Sequence, residues 1–149
     1  MSDQEHNYQV DLDWTRGRKG TLSSDKLETE IEVATPPEFP GGVEGIWSPE
    51  HLFVASVSSC FMTTFTAIAE YSKLKFENLS VKAIGTMAKV DGKFAMTEIV
   101  LKPTLIIQDE KYVDKAHRIM EKAESACLIS RSVKTTISLD GKVVVGAMN

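Results

Sequence analysis

The chain carries two cysteines, Cys60 and Cys127, 67 positions apart. In a reducing compartment two such residues are free thiols, a metal-binding pair or a transient redox pair. Cys60 lies inside the apolar run of "WSPEHLFVASVSSCFMTTF", residues 47 to 65. A free cysteine in such a run is more often an inert small hydrophobe than a nucleophile, and periodicity alone favours packing. Reactivity requires a lowered pKa, because only about 3% of an ordinary thiol is ionised at neutral pH. The dipole of its own helix does not supply this. That field acts within about the first turn, and Cys60 lies about three turns in. A reactive Cys60 therefore needs a cation or a hydrogen-bond donor from elsewhere. Cys127, in "AESACLISRSV", has the same bland reading as one more small residue on a helical stripe. It falls at a helix end before a polar turn, where backbone can move, and a disulfide requires Cα atoms within about 7 Å.

The other chemistry-bearing residues are few. Cys60, Cys127, His51 and His117 are the soft ligands near the expected core, but no Cys-x-x-Cys or His-x-x-x-His spacing is present, which argues against a metal site. His117 sits among charged residues and reads as solvated. His51 precedes Cys60 by nine positions, about 13 Å along a helix axis, too far for a Cys–His dyad within one straight helix. No Gly-x-Ser-x-Gly elbow appears. Arg16 and Arg18 share a face if extended; solvated surface arginines are the commoner fate, and a guanidinium turned inward to stabilise a thiolate is the functional alternative. Glu50 either complements a helix dipole or orients such an arginine.

The elements that must position these residues can be read from period and turn chemistry. Tyr8, Val10, Leu12 and Trp14 alternate with polar residues and predict a half-buried strand over residues 8–15. "RGRKG" gives a turn or bulge, and "TLSS" and "KLETEIEVAT" predict further strands. "PPEFPGGVEG" holds three of the five prolines and reads as an ordered loop. Ser48 as N-cap and Pro49 at the first helical position open a helix running to about Leu74, apolar on most faces as far as Phe65. Helices apolar all round are buried centrally, between layers or between subunits. The Asp-Gly of "VDGK" predicts a tight hairpin between two alternating strands. A second helix is expected over about 109–127, with Val113, Ala116, Ile119, Met120, Ala123 and Cys127 in one stripe. "TTISLDGKVVV" predicts a final strand with another Asp-Gly turn. The class is α+β, a mostly antiparallel sheet with a long central helix.

Composition narrows the function classes. A chain of 149 residues, 42% hydrophobic and 26% charged, suits one globular domain over residues 1–149. A net charge of −4, without a basic stripe, argues against a nucleic-acid partner. The polar, acidic N-terminus lacks the pattern of a signal peptide. The longest apolar stretch, 52–69, is interrupted by "SVSS" and by Thr63, Thr64 and Thr66, so no transmembrane span and no membrane partner are expected. A soluble cytoplasmic protein without cofactor is the expectation.

"SPEHLFVASVSSCF", the distal cysteine in "ACLISRSV" and an Arg/Gly-rich turn after a "DWT" strand resemble the OsmC/Ohr family, which comprises osmotically inducible protein C and organic hydroperoxide resistance proteins. The resemblance covers roughly Tyr8 to Val145. It implies an intertwined homodimer and a thiol-dependent peroxidase, with Cys60 as peroxidatic thiol and Cys127 as resolving thiol. Glu50 falls on the family's glutamate. The family's arginine falls in "TRGRKG", on Arg18 or Arg16, with Arg18 preferred. His51 stands where the family carries Gln or Glu, and "LIS" follows Cys127 where organic hydroperoxide resistance proteins often have proline. The implied substrate is an organic hydroperoxide, with Leu52, Phe53, Phe61 and Met62 as an apolar wall for its tail. The implied reductant is a dithiol, with the lipoyl type as a candidate. A rival from another class is a non-enzymatic protein holding a small apolar ligand on the same fold. Glu50 and Cys60 are ten residues apart, about 15 Å on a straight helix and on different faces. A shared site between two-fold-related subunits reconciles them, and a helix break near "ASVSS" is the competing resolution.

Overall fold

The computed structural model describes residues 4–146. The chain divides into two compact units, Met1–Leu52 and Phe53–Asn149, with the boundary inside the first turns of the long helix.

The first unit is a three-stranded antiparallel meander of β1 (Asp11–Arg16), β2 (Lys19–Ser24) and β3 (Leu27–Ala34). Gly17 and Arg18 join β1 to β2, with Arg16 paired to Lys19. Gly17 has φ +55°, at the first central position, where a type II′ hairpin turn demands glycine. After β3 the proline-rich loop folds on itself. Val43 N–H donates to Thr35 O at 2.9 Å, and a Cβ on Gly42 would meet Pro36 O at 2.1 Å. Only glycine fits that close approach.

The second unit packs helices on a sheet. Its central strand, β5 (Lys93–Ile107), pairs antiparallel with β4 (Asn78–Val90) through the expected Asp-Gly hairpin. Asp91 and Gly92 both have positive φ, as a type I′ turn requires. On its other side β5 pairs with β6 (Thr136–Leu139) and β7 (Lys142–Val145), both parallel. The second Asp-Gly, Asp140-Gly141, is therefore not a hairpin turn. Glu98 faces Thr136 and Thr104 faces Lys142, so one register runs through both segments as a single interrupted line. The interruption lies opposite Pro103, which has no N–H to give the ladder. A Cβ on Gly141 would also meet Met120 Cε at 3.0 Å.

The long helix α1 spans Pro49–Tyr71 and ends three residues before the expected limit. Leu74 N–H reaches Ala69 O at 2.8 Å and Lys73 N–H reaches Glu70 O at 3.1 Å. With Lys73 at φ +60°, this is a Schellman cap with lysine where glycine is usual. The helix is unbroken through "ASVSS". Ser56, Ser58, Ser59, Thr63 and Thr66 each donate to the carbonyl three residues back, so the hydroxyls are satisfied within the helix. α1 is long and apolar enough by length and composition to cross a membrane, a test that the core helix of a soluble protein also passes, and here it packs in the core. It buries one stripe, Val57, Phe61, Phe65 and Ala69, against Ile99, Leu101, Leu105 and Ile107 of β5. The Phe65 ring lies 5.5 Å from Phe76 in a T-shaped pair. Burial of each such ring contributes about 1.5–3 kcal/mol. Gly85 of β4 lets the helix approach, since a Cβ there would meet Val54 Cγ2 at 2.5 Å.

The second helical region is more segmented than predicted. A 3-10 turn (Glu110–Tyr112) leads into α2 (Val113–Ala126), and a separate single turn, α3 (Leu128–Arg131), follows Cys127. The expected stripe is present: Ala116, Ile119, Met120 and Ala123 are buried, as is Cys127, with Val113 packed against them.

The predicted N-terminal strand forms, but its burial does not. All six residues of β1 are exposed, with Leu12 61% and Trp14 73% accessible. Period-two alternation identifies an apolar face; it does not say what covers that face.

Candidate active site

Cys60 and Cys127 meet in the second unit. Cys60 is carried by α1 and is half-buried; Cys127 is fully buried between α2 and α3, with φ −65° and ψ 119°. That extended residue makes Cys127 both the C-cap of one helix and the N-cap of the next. Both thiols are free.

Burial pushes the Cys60 thiol up, but hydrogen bonds outweigh it. The Cys127 thiol, the Ile129 N–H, the Thr64 hydroxyl and the Leu128 N–H all donate to its sulfur, and together they hold its pKa below the ordinary thiol value. Thr64 Oγ1 lies 3.9 Å from Cys60 Sγ, one turn along α1. Cys127 moves the opposite way. Burial raises it first and its bond to Cys60 second, while the Ser130 hydroxyl and N–H oppose the rise. The pKa values of the two thiols are thus moved apart, Cys60 down and Cys127 up. The lowering comes from outside α1's own first turn, first from the Cys127 side chain and then from the main chain at Ile129. Sequence reasoning missed this, although a cysteine placed to cap a following turn was the available signal.

The first unit places the remaining residues. Arg18 is held at both ends: its carbonyl accepts from Thr35 N–H at 3.4 Å, and its side chain covers Gly41, where a Cβ would come within 3.0 Å of Arg18 Cγ. Gly41 has φ +80°. Arg16 ends β1 with its side chain exposed. Glu50 lies in the first turn of α1, and its Oε1 is buried without a hydrogen-bond partner among the described residues. The neighbouring turn is firmly built. Ser48 is fully buried; its hydroxyl accepts from His51 N–H at 3.1 Å, and His51 Nδ1 accepts from Ser48 N–H at 3.3 Å. This is a reciprocal capping box with histidine in the place of Glu or Gln.

Of the expected apolar wall, Leu52 and Phe53 are half-buried and Met62 is 43% exposed. Phe61 is fully buried in the core and stacks near Phe65, so in this structure it packs and presents nothing to a ligand. Among the described residues no group of three or more His, Cys, Asp and Glu could hold a metal ion.

A family model described as OsmC-like protein matches residues 41–141. The chain is 30% identical over 126 residues to the peroxiredoxin OsmC of Escherichia coli, covering 82% of this chain and 84% of that one. It is 29% identical over 140 residues to the Bacillus subtilis protein YmaD, covering 91% of each. In fold it matches an OsmC-like protein of Vibrio cholerae with a TM-score of 0.83, 25% identity and coverage of 92% and 99%. It also matches an organic hydroperoxide resistance protein of Elizabethkingia anophelis with a TM-score of 0.75, 24% identity and coverage of 95% and 98%.

Proposed function

The chain belongs to the OsmC-like protein family, and from that premise we propose that it is a cysteine peroxidase that reduces organic hydroperoxides to alcohols. The observation that carries this reading is the asymmetric thiol pair, Cys60 lowered by donors that include Cys127 itself. The names of its relatives, a peroxiredoxin and an organic hydroperoxide resistance protein, point the same way.

In the proposed cycle the Cys60 thiolate attacks the distal oxygen of the hydroperoxide. An S–O bond forms, the O–O bond breaks, and the alkoxide leaves to take up a proton as the alcohol. Cys60 is then a sulfenic acid. The Cys127 thiolate attacks its sulfur, an S–S bond forms, and hydroxide leaves as water once protonated. An external dithiol, of lipoyl type in this proposal, reduces the disulfide by two thiol exchanges and is itself oxidised. Leu52, Phe53 and Met62 are the proposed apolar contacts for the substrate's tail, which favours an alkyl or aryl hydroperoxide over hydrogen peroxide. We place the reaction in the cytoplasm, a compartment in which free thiols persist.

Arg18, paired to Glu50, is the proposed cation of this site, in preference to Arg16. Its support is the packing of Arg18 on Gly41, and the buried Glu50 oxygen that lacks a donor among the described residues. The unbroken α1 removes the helix-break resolution, so we place Glu50 of one subunit at Cys60 of its partner in a two-fold homodimer. The exposed apolar residues of β1 and of α1 are the surface such a dimer would cover.

The test is peroxide consumption with cumene hydroperoxide and a dithiol reductant. The wild type is expected to turn over, and Cys60→Ser to lose the activity while keeping its fold. Activity retained in Cys60→Ser would overturn the proposal.

A further inference from the structure

One face of the α2 region collects cations. Lys111, Lys115, Arg118 and Lys122 recur at spacings of four, three and four, which makes them neighbours along one side of a helix. Lys111 is paired with Asp109 at 3.8 Å, but Lys115, Arg118 and Lys122 form no ion pair among the described residues. Like charges at these spacings repel and destabilise a helix. The row persists in a chain whose net charge is −4. A solvated face is the commoner fate of such residues. Here, however, three of the four line a concavity. Lys115, Arg118 and Lys122 face Ile68, Ser72 and Ile119 around a groove of about 340 Å³ between α2 and the last turns of α1. No acid of α2 lines it. Lys115 is half-buried, and its Nζ sits 5.7 Å from the centre of the Tyr112 ring. A neutral ring holds an ammonium in place without cancelling its charge. The end of α1 does not supply the missing partner either. The carbonyls of Ile68, Ala69 and Glu70 already accept from the N–H groups of Ser72, Leu74 and Lys73.

We propose that this groove binds the phosphate group of a small soluble phosphate monoester. Three cations without a carboxylate among them match a dianion; a monoanion leaves most of their charge uncompensated. Arg118 offers a planar fork that suits two phosphate oxygens, the two lysines act as point charges, and the Ser72 hydroxyl is a further donor. Ile68 and Ile119 give the body of the ligand apolar surface, and the volume is that of a small-molecule site. An extended anionic surface fits less well. Asp114 and Glu121 flank the row on the same helix, so a bilayer or a nucleic acid would meet carboxylates along with the cations. The groove is separate from the thiol pair. Ile68 and Ser72 lie eight and twelve positions beyond Cys60, about 12 and 18 Å along the axis of α1.

The test is calorimetric titration of the reduced, whole chain with phenyl phosphate, with benzoate as a monoanion of similar body. Phenyl phosphate is expected to bind one per chain, about tenfold or more tighter than benzoate. Arg118→Gln should weaken it about tenfold through loss of a charge-assisted fork, and Lys122→Gln by a smaller factor. Arg118→Lys, which keeps the charge and loses the fork, should fall between Arg118→Gln and the wild type. Lys82→Gln removes the same charge from an exposed position on β4 and should bind as the wild type does. Arg118, Lys122 and Lys82 are all exposed, so each variant is expected to keep the wild-type denaturant midpoint in the absence of ligand. Absence of binding, equal affinity for benzoate, or equal weakening by Lys82→Gln and Arg118→Gln would overturn the proposal. So would binding to vesicles containing phosphatidic acid with none to phenyl phosphate. No peroxide enters the titration, so its outcome is separate from that of the peroxidase reading.

Discussion

The two units of this chain contrast in how far each finishes its own polar groups. Around the cysteines, the second unit lowers the Cys60 pKa from within itself, through the Cys127 side chain first, then the Ile129 main chain, Thr64 and the Leu128 main chain. The first unit leaves its business open. Glu50 keeps a buried oxygen without a donor among the described residues, and β1 presents Leu12 and Trp14 to solvent. Buried polar atoms are ordinarily satisfied and large apolar faces ordinarily covered. The thiol pair lies in one unit and the unpartnered carboxylate in the other, and the proposed placement of that carboxylate on a second subunit's thiol is what the following experiments probe.

The largest effect expected from breaking this contrast comes from mixing inactive subunits. Cys60→Ser and Glu50→Ala homodimers should each be impaired. After exchange in equal amounts, half the dimers are mixed and each has one intact site, so about a quarter of wild-type activity should return. No recovery despite demonstrated exchange would place the site within one chain. Next in size is the choice of arginine. Arg18→Ala is expected to slow peroxide reduction by tenfold or more and to raise the pH at which Cys60 ionises, since a nearby cation favours a thiolate. Arg16→Ala should stay close to wild type; equal rates in both variants would remove arginine from the mechanism. The smallest effect is on stability. Ser48→Ala removes the hydroxyl from the capping box at the start of α1 and should cost about 1 kcal/mol by denaturant titration. His51→Gln, which can rebuild the reciprocal bond, should cost less than His51→Ala.

What the sequence made legible follows from how local each signal is. The start of α1 was readable because Ser48 and Pro49 carry their own capping chemistry, and the Asp91-Gly92 hairpin because its turn demands positive φ. Asp140-Gly141 has the same letters and a different fate. Its backbone direction is set by pairing with β5 and by Pro103 opposite, partners distant in sequence. The end of α1 was overrun because Lys73, not glycine, takes the left-handed cap position. Periodicity found the apolar faces of β1 and α1 but could not report what lies against them. The pairing of Cys60 with Cys127 came from family resemblance; spacing alone left Cys60 as a packing residue. The donors from Leu128 and Ile129 were invisible, because main-chain groups leave no mark in residue type. Phe61 was assigned to a substrate wall, and its spacing of four from Val57 and Phe65 was the overlooked sign of a core stripe.

The central claim is that Cys60 and Cys127 form one redox couple. The most direct test is intact-mass analysis after brief oxidation with stoichiometric cumene hydroperoxide. The expected result is the loss of two hydrogens per chain, with Cys60 and Cys127 cross-linked in the peptide map and regained as thiols on treatment with a dithiol. If both cysteines remain alkylatable after that treatment, the two-thiol mechanism is wrong.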